Sequence, residues 1–250
     1  MMRTLIVTGA SSGIGLETTK RLLECGHRVI GIARDFSRAE IHAQAFVSFS
    51  LDLADLSALP EAFAQLAKAH PEIDGLVCCA GQGRFGGIET FSAAQIQGLI
   101  DLNLTSPCLL VRALMPGLKK SKAADIVFLG SEAALVGGGQ GAVYSATKFA
   151  LRGFAQALRQ ECAKSAVRVT MINPGMVKTD FFEGLSFRPG SDETNYIEAE
   201  DVAEAIITAL EMRRGTVIDE INLSPLKKVI VHRPPGDRRK APLKPKLPKT

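Results

Sequence analysis

Tyr144 and Lys148 stand four residues apart in Tyr144-Ser145-Ala146-Thr147-Lys148, at the start of a helix-length amphipathic pattern. Positions i and i+4 share a helix face with Cβ atoms about 5–6 Å apart, which sets an ammonium beside a phenol. A nearby positive charge favours phenolate, so the spacing predicts a tyrosine pKa below its usual value of about 10. A phenol tuned in this way serves as an acid or base near neutral pH. The chain has only two tyrosines, Tyr144 and Tyr196, which makes an accidental pairing less expected. Read alone, the pair is equally an ordinary helix-surface pair.

A second chemical signal is Thr8-Gly9-Ala10-Ser11-Ser12-Gly13-Ile14-Gly15, between an apolar run and a helical pattern. Such a loop sets free helix N–H groups against a dinucleotide pyrophosphate, and glycine allows the close approach. Its Gly-x-x-x-Gly-x-Gly spacing differs from the commoner Gly-x-Gly-x-x-Gly fingerprint, and a tight strand-to-helix turn stays open as the alternative.

The elements that must position these residues follow from the hydrophobic pattern. Short apolar, β-branched runs predict strands over 4–8, 28–33, 46–51, 75–79, 125–130, 167–172 and 217–223. They are continuous rather than alternating, as in strands covered on both faces. Helical patterns fill 13–25, 57–69, 92–118, 144–164 and 200–213, and the alternation is that of βαβ units around a parallel sheet. The gap 179–197 is long and weakly periodic, with exposed-looking Phe181, Phe182, Leu185 and Phe187, and is read as a substrate lid.

Composition narrows the class. With 46% hydrophobic and 22% charged residues over 250, disorder and collagen are excluded and one domain with a sizeable core is expected. No window approaches the ~20 consecutive apolar residues of a membrane span, and the opening apolar run is too short for a secretory signal. Five cysteines (25, 78, 79, 108 and 162) lack zinc-type spacing; reduced core thiols in a cytoplasmic protein and no metal site are expected. Residues 227–250 carry nine Lys/Arg against Asp237 and hold five prolines, so the expected domain is 1–226, followed by a solvated basic tail.

Together, the Thr8–Gly15 turn, Tyr144 with Lys148, and Ser131 thirteen positions before the tyrosine resemble the short-chain dehydrogenase/reductase family over about residues 3–223. The resemblance implies a Rossmann-like doubly wound α/β sheet of seven strands in the order 3-2-1-4-5-6-7. It implies a reversible hydride transfer between a nicotinamide and a carbonyl or alcohol carbon. Tyr144 would donate the proton, Ser131 would hydrogen-bond the same oxygen, and Lys148 would hold the nicotinamide ribose. Asn103 would anchor a proton-relaying water, which needs a helix irregularity at that point. Cofactor contacts would come from Gly9, Ser11, Ser12, Gly13, Ile14 and Gly15, from Asp52 with Leu53, from Ala80 and Gly81, and from Pro174, Gly175, Val177 and Thr179. One departure stands out: Cys78-Cys79-Ala80-Gly81 replaces the family's Asn-Asn-Ala-Gly.

At the end of strand two, Ala33 occupies the position of a ribose-binding acid and Arg34 the next, basic position, which implies NADP(H) in preference to NAD(H). Asp35 is read as a turn residue. Substrate-lining candidates are Glu132, Leu135, Gln140, Met176 and the lid; the lid phenylalanines could equally pack on its own base. The apolar girdle of helix 144–164 is wider than one buried face needs, which together with the resemblance predicts a homodimer or homotetramer. Two rival readings are a catalytically silent NADP-binding regulatory protein, expected to lack one of Asn103, Ser131, Tyr144 and Lys148, and an anion or nucleic-acid binder acting through the tail. The tail lacks interleaved aromatics, so no nucleic-acid partner is expected.

Overall fold

The apolar runs become strands. In the computed structural model, which describes residues 2–233, they are β1 (Thr4–Thr8), β2 (Arg28–Ala33), β3 (Phe46–Ser50), β4 (Gly75–Cys78), β5 (Ala124–Leu129), β6 (Val167–Pro174), β7 (Phe187–Pro189), β8 (Glu220–Leu223) and β9 (Ile230–His232). Seven of them form one parallel sheet in the order β3-β2-β1-β4-β5-β6-β8. That is the expected order; the seventh sheet strand is β8 because β7 intervenes in the lid. The helices are α1 (Gly13–Glu24), α2 (Leu59–Ala69), α3 (Ala93–Ile100), α4 (Ser106–Leu118), α5 (Ala142–Cys162) and α6 (Ala199–Glu211).

The two-residue period of the strands builds a core on each face of the sheet. Ile6, Leu76, Ile126 and Phe128 face one side, with Phe63 and Leu66 of α2, Leu110 and Leu114 of α4, and Leu151 and Leu158 of α5. Leu5, Val7, Val77 and Val127 face the other, with Leu22 of α1 and Val202, Ile206 and Leu210 of α6. Each such side chain contributes about 1.5–3 kcal/mol on burial. The two edge strands are the exceptions to continuous burial: Ser48 and Ser50 of β3 and Asn222 of β8 are exposed, with no layer to cover them.

The expected helix over 92–118 is interrupted. Ser92 and Gln95 form a reciprocal cap at its start, and α3 and α4 are joined by a π-turn, Asp101–Thr105. Proline explains the interruption: Pro107 has no N–H to give the Asn103 carbonyl. Instead the Ser106 N–H reaches back to the Asp101 carbonyl, and the Ser106 hydroxyl donates to the Leu102 carbonyl at 2.9 Å. By length and apolarity the stretch Ala93–Leu118 could cross a membrane. Here Leu99, Leu110, Leu114 and Leu118 spend that apolarity inside the fold.

At the amino-terminal edge of the sheet, buried Asp125 collects three guanidinium groups: Arg168 at 2.6 Å, Arg3 at 2.8 Å and Arg214 at 3.1 Å. Arg168 also donates to the Leu210 carbonyl at 2.8 Å and the Met212 carbonyl at 2.6 Å, closing the carboxyl end of α6. One buried carboxylate thus ties together β5, β6, the start of β1 and α6.

The boundary after Leu226 needs correction. Ile230–His232, assigned by composition to a solvated tail, pairs antiparallel with Phe187–Pro189 of the lid. The apolar triplet Val229-Ile230-Val231 precedes the prolines, so the tail's composition masked a short strand. Residues 234–250, which carry most of the basic tail and its suggested anion binding, lie outside the described residues.

Candidate active site

The carboxyl ends of the strands carry the site, as open α/β sheets require. Ser131 follows β5 and begins a short helical turn, Glu132–Ala134, its hydroxyl accepting from the Ala133 N–H at 3.1 Å. Tyr144 and Lys148 lie in the first two turns of α5, only 7% and 5% exposed. The Ser131 hydroxyl faces the Tyr144 phenol closely enough to pull its pKa down against burial. The Lys148 ammonium lies 5.7 Å from the phenol ring centre and donates to the Leu129 carbonyl at 2.9 Å.

Asn103, on the π-turn, is brought to the same cluster. Its side-chain amide donates to the Gln82 carbonyl at 3.0 Å and to Thr147 Oγ1 at 3.2 Å, and its Oδ1 accepts from the Gln82 N–H at 2.9 Å. The Thr147 hydroxyl in turn donates to the Tyr144 carbonyl at 2.7 Å. The asparagine side chain therefore clamps the loop after β4 onto α5. Pro107 leaves its main-chain carbonyl without the ordinary i+4 helical donor.

The expected fall in the tyrosine pKa does not occur. Burial pushes the Tyr144 phenol up to about 12, and the Glu132 carboxylate adds to the rise against the opposing pull of the Ser131 hydroxyl. Burial likewise pushes the Lys148 ammonium down to about 8. The i,i+4 spacing supplies proximity, but desolvation of both groups outweighs it. A stability signature follows. Between about pH 8 and pH 10 the unfolded chain holds the Lys148 proton more tightly than the folded protein, so this group alone contributes a rise in stability with pH, which the buried thiols of Cys78 and Cys79, pushed up by burial, oppose from about pH 9. Above about pH 10 the phenol acts in the opposite sense, because the unfolded chain releases that proton first. Thermal melting of the ligand-free protein and of Lys148→Met isolates the lysine: the difference between the two proteins should shift in favour of wild type as pH rises from about 8 to 10.

The glycine turn is built as a cradle. Gly9 and Gly13 adopt left-handed φ values of +69° and +52°, and a side chain at Gly15 would strike the Gly9 carbonyl. Ser12 caps α1 without a side-chain hydrogen bond, so the first N–H groups of α1 face outward. Ser11 and Ser12 lie in that turn, while Ile14 packs on the second core. The Thr8 hydroxyl accepts from the Ala80 N–H at 3.0 Å, closing β1 against β4. A side chain at Gly81 would stand 3.2 Å from Asn103 Oδ1 and 3.7 Å from Lys148 Nζ. Thr179 closes on Gly13 from the loop after β6, and Gly175 donates to the Leu223 carbonyl at 2.8 Å. An extended dinucleotide fits this run of bare backbone. Val177 and Leu53 turn their side chains into the cores, so only their backbone could meet it. Pro174 ends β6, and Asp52 accepts from the Ala54 N–H at 3.0 Å in an exposed turn. Where the family pattern has asparagines, Cys78 packs into the first core and Cys79 against the second.

Arg34 is exposed at the end of β2, and Arg38, which the sequence reading passed over, is exposed beside it. Asp35 is held in a local turn, accepting from the Ser37 N–H and hydroxyl, each at 2.8 Å, and those bonds lower its pKa.

On the substrate side the lid closes over Tyr144 with aromatic rings. Phe182 is buried as the lid's base, correcting its expected exposure, while Phe181 and Phe187 are half-buried. Phe85 joins them, 5.2 Å from the Tyr144 ring, and was missed in the sequence. Its signal was a lone phenylalanine in the glycine-rich loop after β4, Gly83-Arg84-Phe85-Gly86-Gly87. Gln140, at a left-handed φ of 59°, accepts the Gly86 N–H at 2.7 Å and fixes that loop. Glu132 pairs with Lys228 at 2.7 Å, whereas Met176 is buried and Leu135 half-buried beneath the site.

These parts define a class, the dinucleotide-dependent oxidoreductases of Rossmann-like fold. A family model described as short chain dehydrogenase matches residues 3–188. A serine 3-dehydrogenase from Agrobacterium fabrum is 33% identical, covering 90% of this chain and 95% of its own. An NADP-dependent 3-hydroxy acid dehydrogenase from Schizosaccharomyces pombe is 31% identical, covering 89% and 92%. In three dimensions, an alcohol dehydrogenase from Thermococcus sibiricus complexed with 5-hydroxy-NADP superposes with a TM-score of 0.80 at 23% identity, over 92% of this chain and 99% of that one. The chain belongs to the short-chain dehydrogenase family and is an oxidoreductase acting on alcohol or hydroxy groups.

Proposed function

We propose that the chain is an NADP(H)-dependent oxidoreductase of carbonyls and secondary alcohols with Tyr144 as its acid/base. The observation that carries this reading is a single buried phenol, flanked by the Ser131 hydroxyl and the Lys148 ammonium, beside a glycine cradle. Bound NADPH supplies the hydride to the carbonyl carbon. As the C=O π electrons shift onto oxygen, Tyr144 gives that oxygen its proton and the Ser131 hydroxyl holds it in place. Both act as preorganised donors where negative charge develops. Lys148 holds the nicotinamide ribose and, with a water on the Asn103 carbonyl, returns the proton to Tyr144. Alcohol oxidation runs the same steps in reverse.

Arg34, with Arg38 beside it, would receive the 2′-phosphate that distinguishes NADPH from NADH. A hydrogen bond to a charged group is worth about 1.5–3 kcal/mol, or about tenfold or more in affinity. Arg34→Ala should weaken NADPH about tenfold and leave NADH unchanged. A wild-type protein that uses both dinucleotides equally would refute the preference. A carbonyl panel followed by nicotinamide absorbance, with NADPH and NADH in parallel, tests the reaction itself.

The exposed side of α5, with Ala142, Ala146, Phe149, Ala150 and Ala157, offers a close-packing face to a second subunit, consistent with a homodimer or homotetramer. Five free cysteines suit a reducing, cytoplasmic compartment.

A further inference from the structure

We propose that this site takes an uncharged ketone or secondary alcohol bearing an aryl or similarly bulky apolar group, in preference to a hydroxy acid, with Phe85, Phe181 and Phe187 setting that choice. The inference rests on Tyr144 acting as the acid/base, as proposed above.

Five rings form a closed circuit around the reacting position. Tyr144 meets Phe85 at 5.2 Å between ring centres, Phe85 meets Phe187 at 4.9 Å, and Phe187 meets Phe182 at 5.8 Å. Phe182 meets Phe181 at 5.3 Å, and Phe181 returns to Tyr144 at 6.0 Å. The rings come from the loop after β4, the lid turn, β7 and α5, so the enclosure is a property of the assembled fold. Phe182 is buried, but Phe85, Phe181 and Phe187 keep part of their surface open to a ligand. Edge-to-face and tilted contacts of this kind suit a further ring or an aliphatic body.

The charges beside the circuit oppose an acid. A hydroxy acid needs a cation for its carboxylate, because a buried anion without a partner is costly. Lys228 is at the mouth but is held by Glu132 at 2.7 Å. Lys178 is paired with Glu198 at 3.2 Å, and Arg84 lies over the Phe91 ring at 5.7 Å. Arg188 follows Phe187 on β7 and therefore points to the opposite face. Among the described residues, the Glu132 carboxylate is close enough to raise the pKa of the phenol, and it repels a second anion there.

The test uses the full chain with NADPH and two substrates of one skeleton, benzoylformate and its ethyl ester. The ester should exceed the acid in kcat/KM by about 100-fold, the scale of an unpaired charge in a partly desolvated site. Glu132→Gln, which releases Lys228, should narrow that ratio about tenfold, a change in selectivity that a merely structural effect would not produce. Phe85→Ala and Phe187→Ala should raise KM for the ester more than they lower kcat, with Phe85→Leu and Phe187→Leu as folded controls if an alanine variant melts early. Equilibrium binding of both compounds to the Tyr144→Phe protein with NADPH should show the same preference without turnover. Equal or better use of the acid, or no reduction of the ester, overturns the inference. If Tyr144→Phe still reduces the ester, the acid/base reading fails instead, and the binding preference then decides the substrate class alone.

Discussion

Tyr144→Phe should lower carbonyl reduction at least about 1000-fold while NADPH affinity stays within about twofold. General acid catalysis contributes about 10²- to 10⁴-fold, and here a single hydroxyl carries the transferable proton. The ring that packs on Phe85 and Phe181 is retained, so the aromatic enclosure should keep its shape. The chain has no tryptophan, so bound NADPH can be followed by its own fluorescence without protein emission near it. Lys148→Met should behave differently, losing both affinity and rate, because that ammonium serves the ribose and the proton return together. Near wild-type turnover in Tyr144→Phe would remove the phenol from the mechanism; a parallel loss of NADPH binding would mean that the ring, and not the proton, was needed.

Asp125→Ala should be strongly destabilising although it lies far from the site, costing about 3–5 kcal/mol. Breaking a buried ion pair by removing one partner leaves the other charge buried without compensation. Here the loss falls on Arg168 first, itself 5% exposed, and on Arg3 and Arg214 around it. For a domain of this size each kcal/mol moves Tm by about 2–4 °C, so a drop of about 10 °C is expected in calorimetry. Asp125→Asn should lose less, since an amide oxygen can still accept from Arg168. Turnover at low temperature should be unchanged in both, because the cluster lies at the edge of the sheet away from Tyr144. A Tm within about 2 °C of wild type would show that the three arginines find other partners.

What was legible in the sequence was local. The glycine turn, the Tyr144–Lys148 spacing and the apolar runs each need only a few consecutive residues to declare themselves, and the sheet order came with the family resemblance they carry. Features closed across the chain were not legible. Phe85 reaches Tyr144 only because Gln82 is clamped by Asn103 and Gly86 by Gln140. The Glu132–Lys228 pair links residues far apart in sequence, and β9 was hidden in a segment dominated by lysine and proline. The phenol was misjudged for a related reason: spacing reports which charge is near, whereas burial depends on every element packed around it. The break in the long helix had a local cause, Pro107; the apolar periodicity ran straight through it, and it was the family resemblance at Asn103 that pointed to an irregularity there.

The ribbon between β7 and β9 also bears on the order in which a growing chain can acquire its parts. Phe187 pairs with His232, so the lid strand has no partner until the residues that follow the main sheet have emerged from the ribosome. The glycine turn, by contrast, is complete within α1, and the strands beside it, β1, β2 and β4, are all made by Cys78, about 150 residues earlier. Chains emerge at about 5–20 residues per second, so several seconds separate the two events. A nascent chain can therefore form the glycine turn that opens its dinucleotide site well before its aromatic enclosure, and a ribosome-bound intermediate would hold the one without the other.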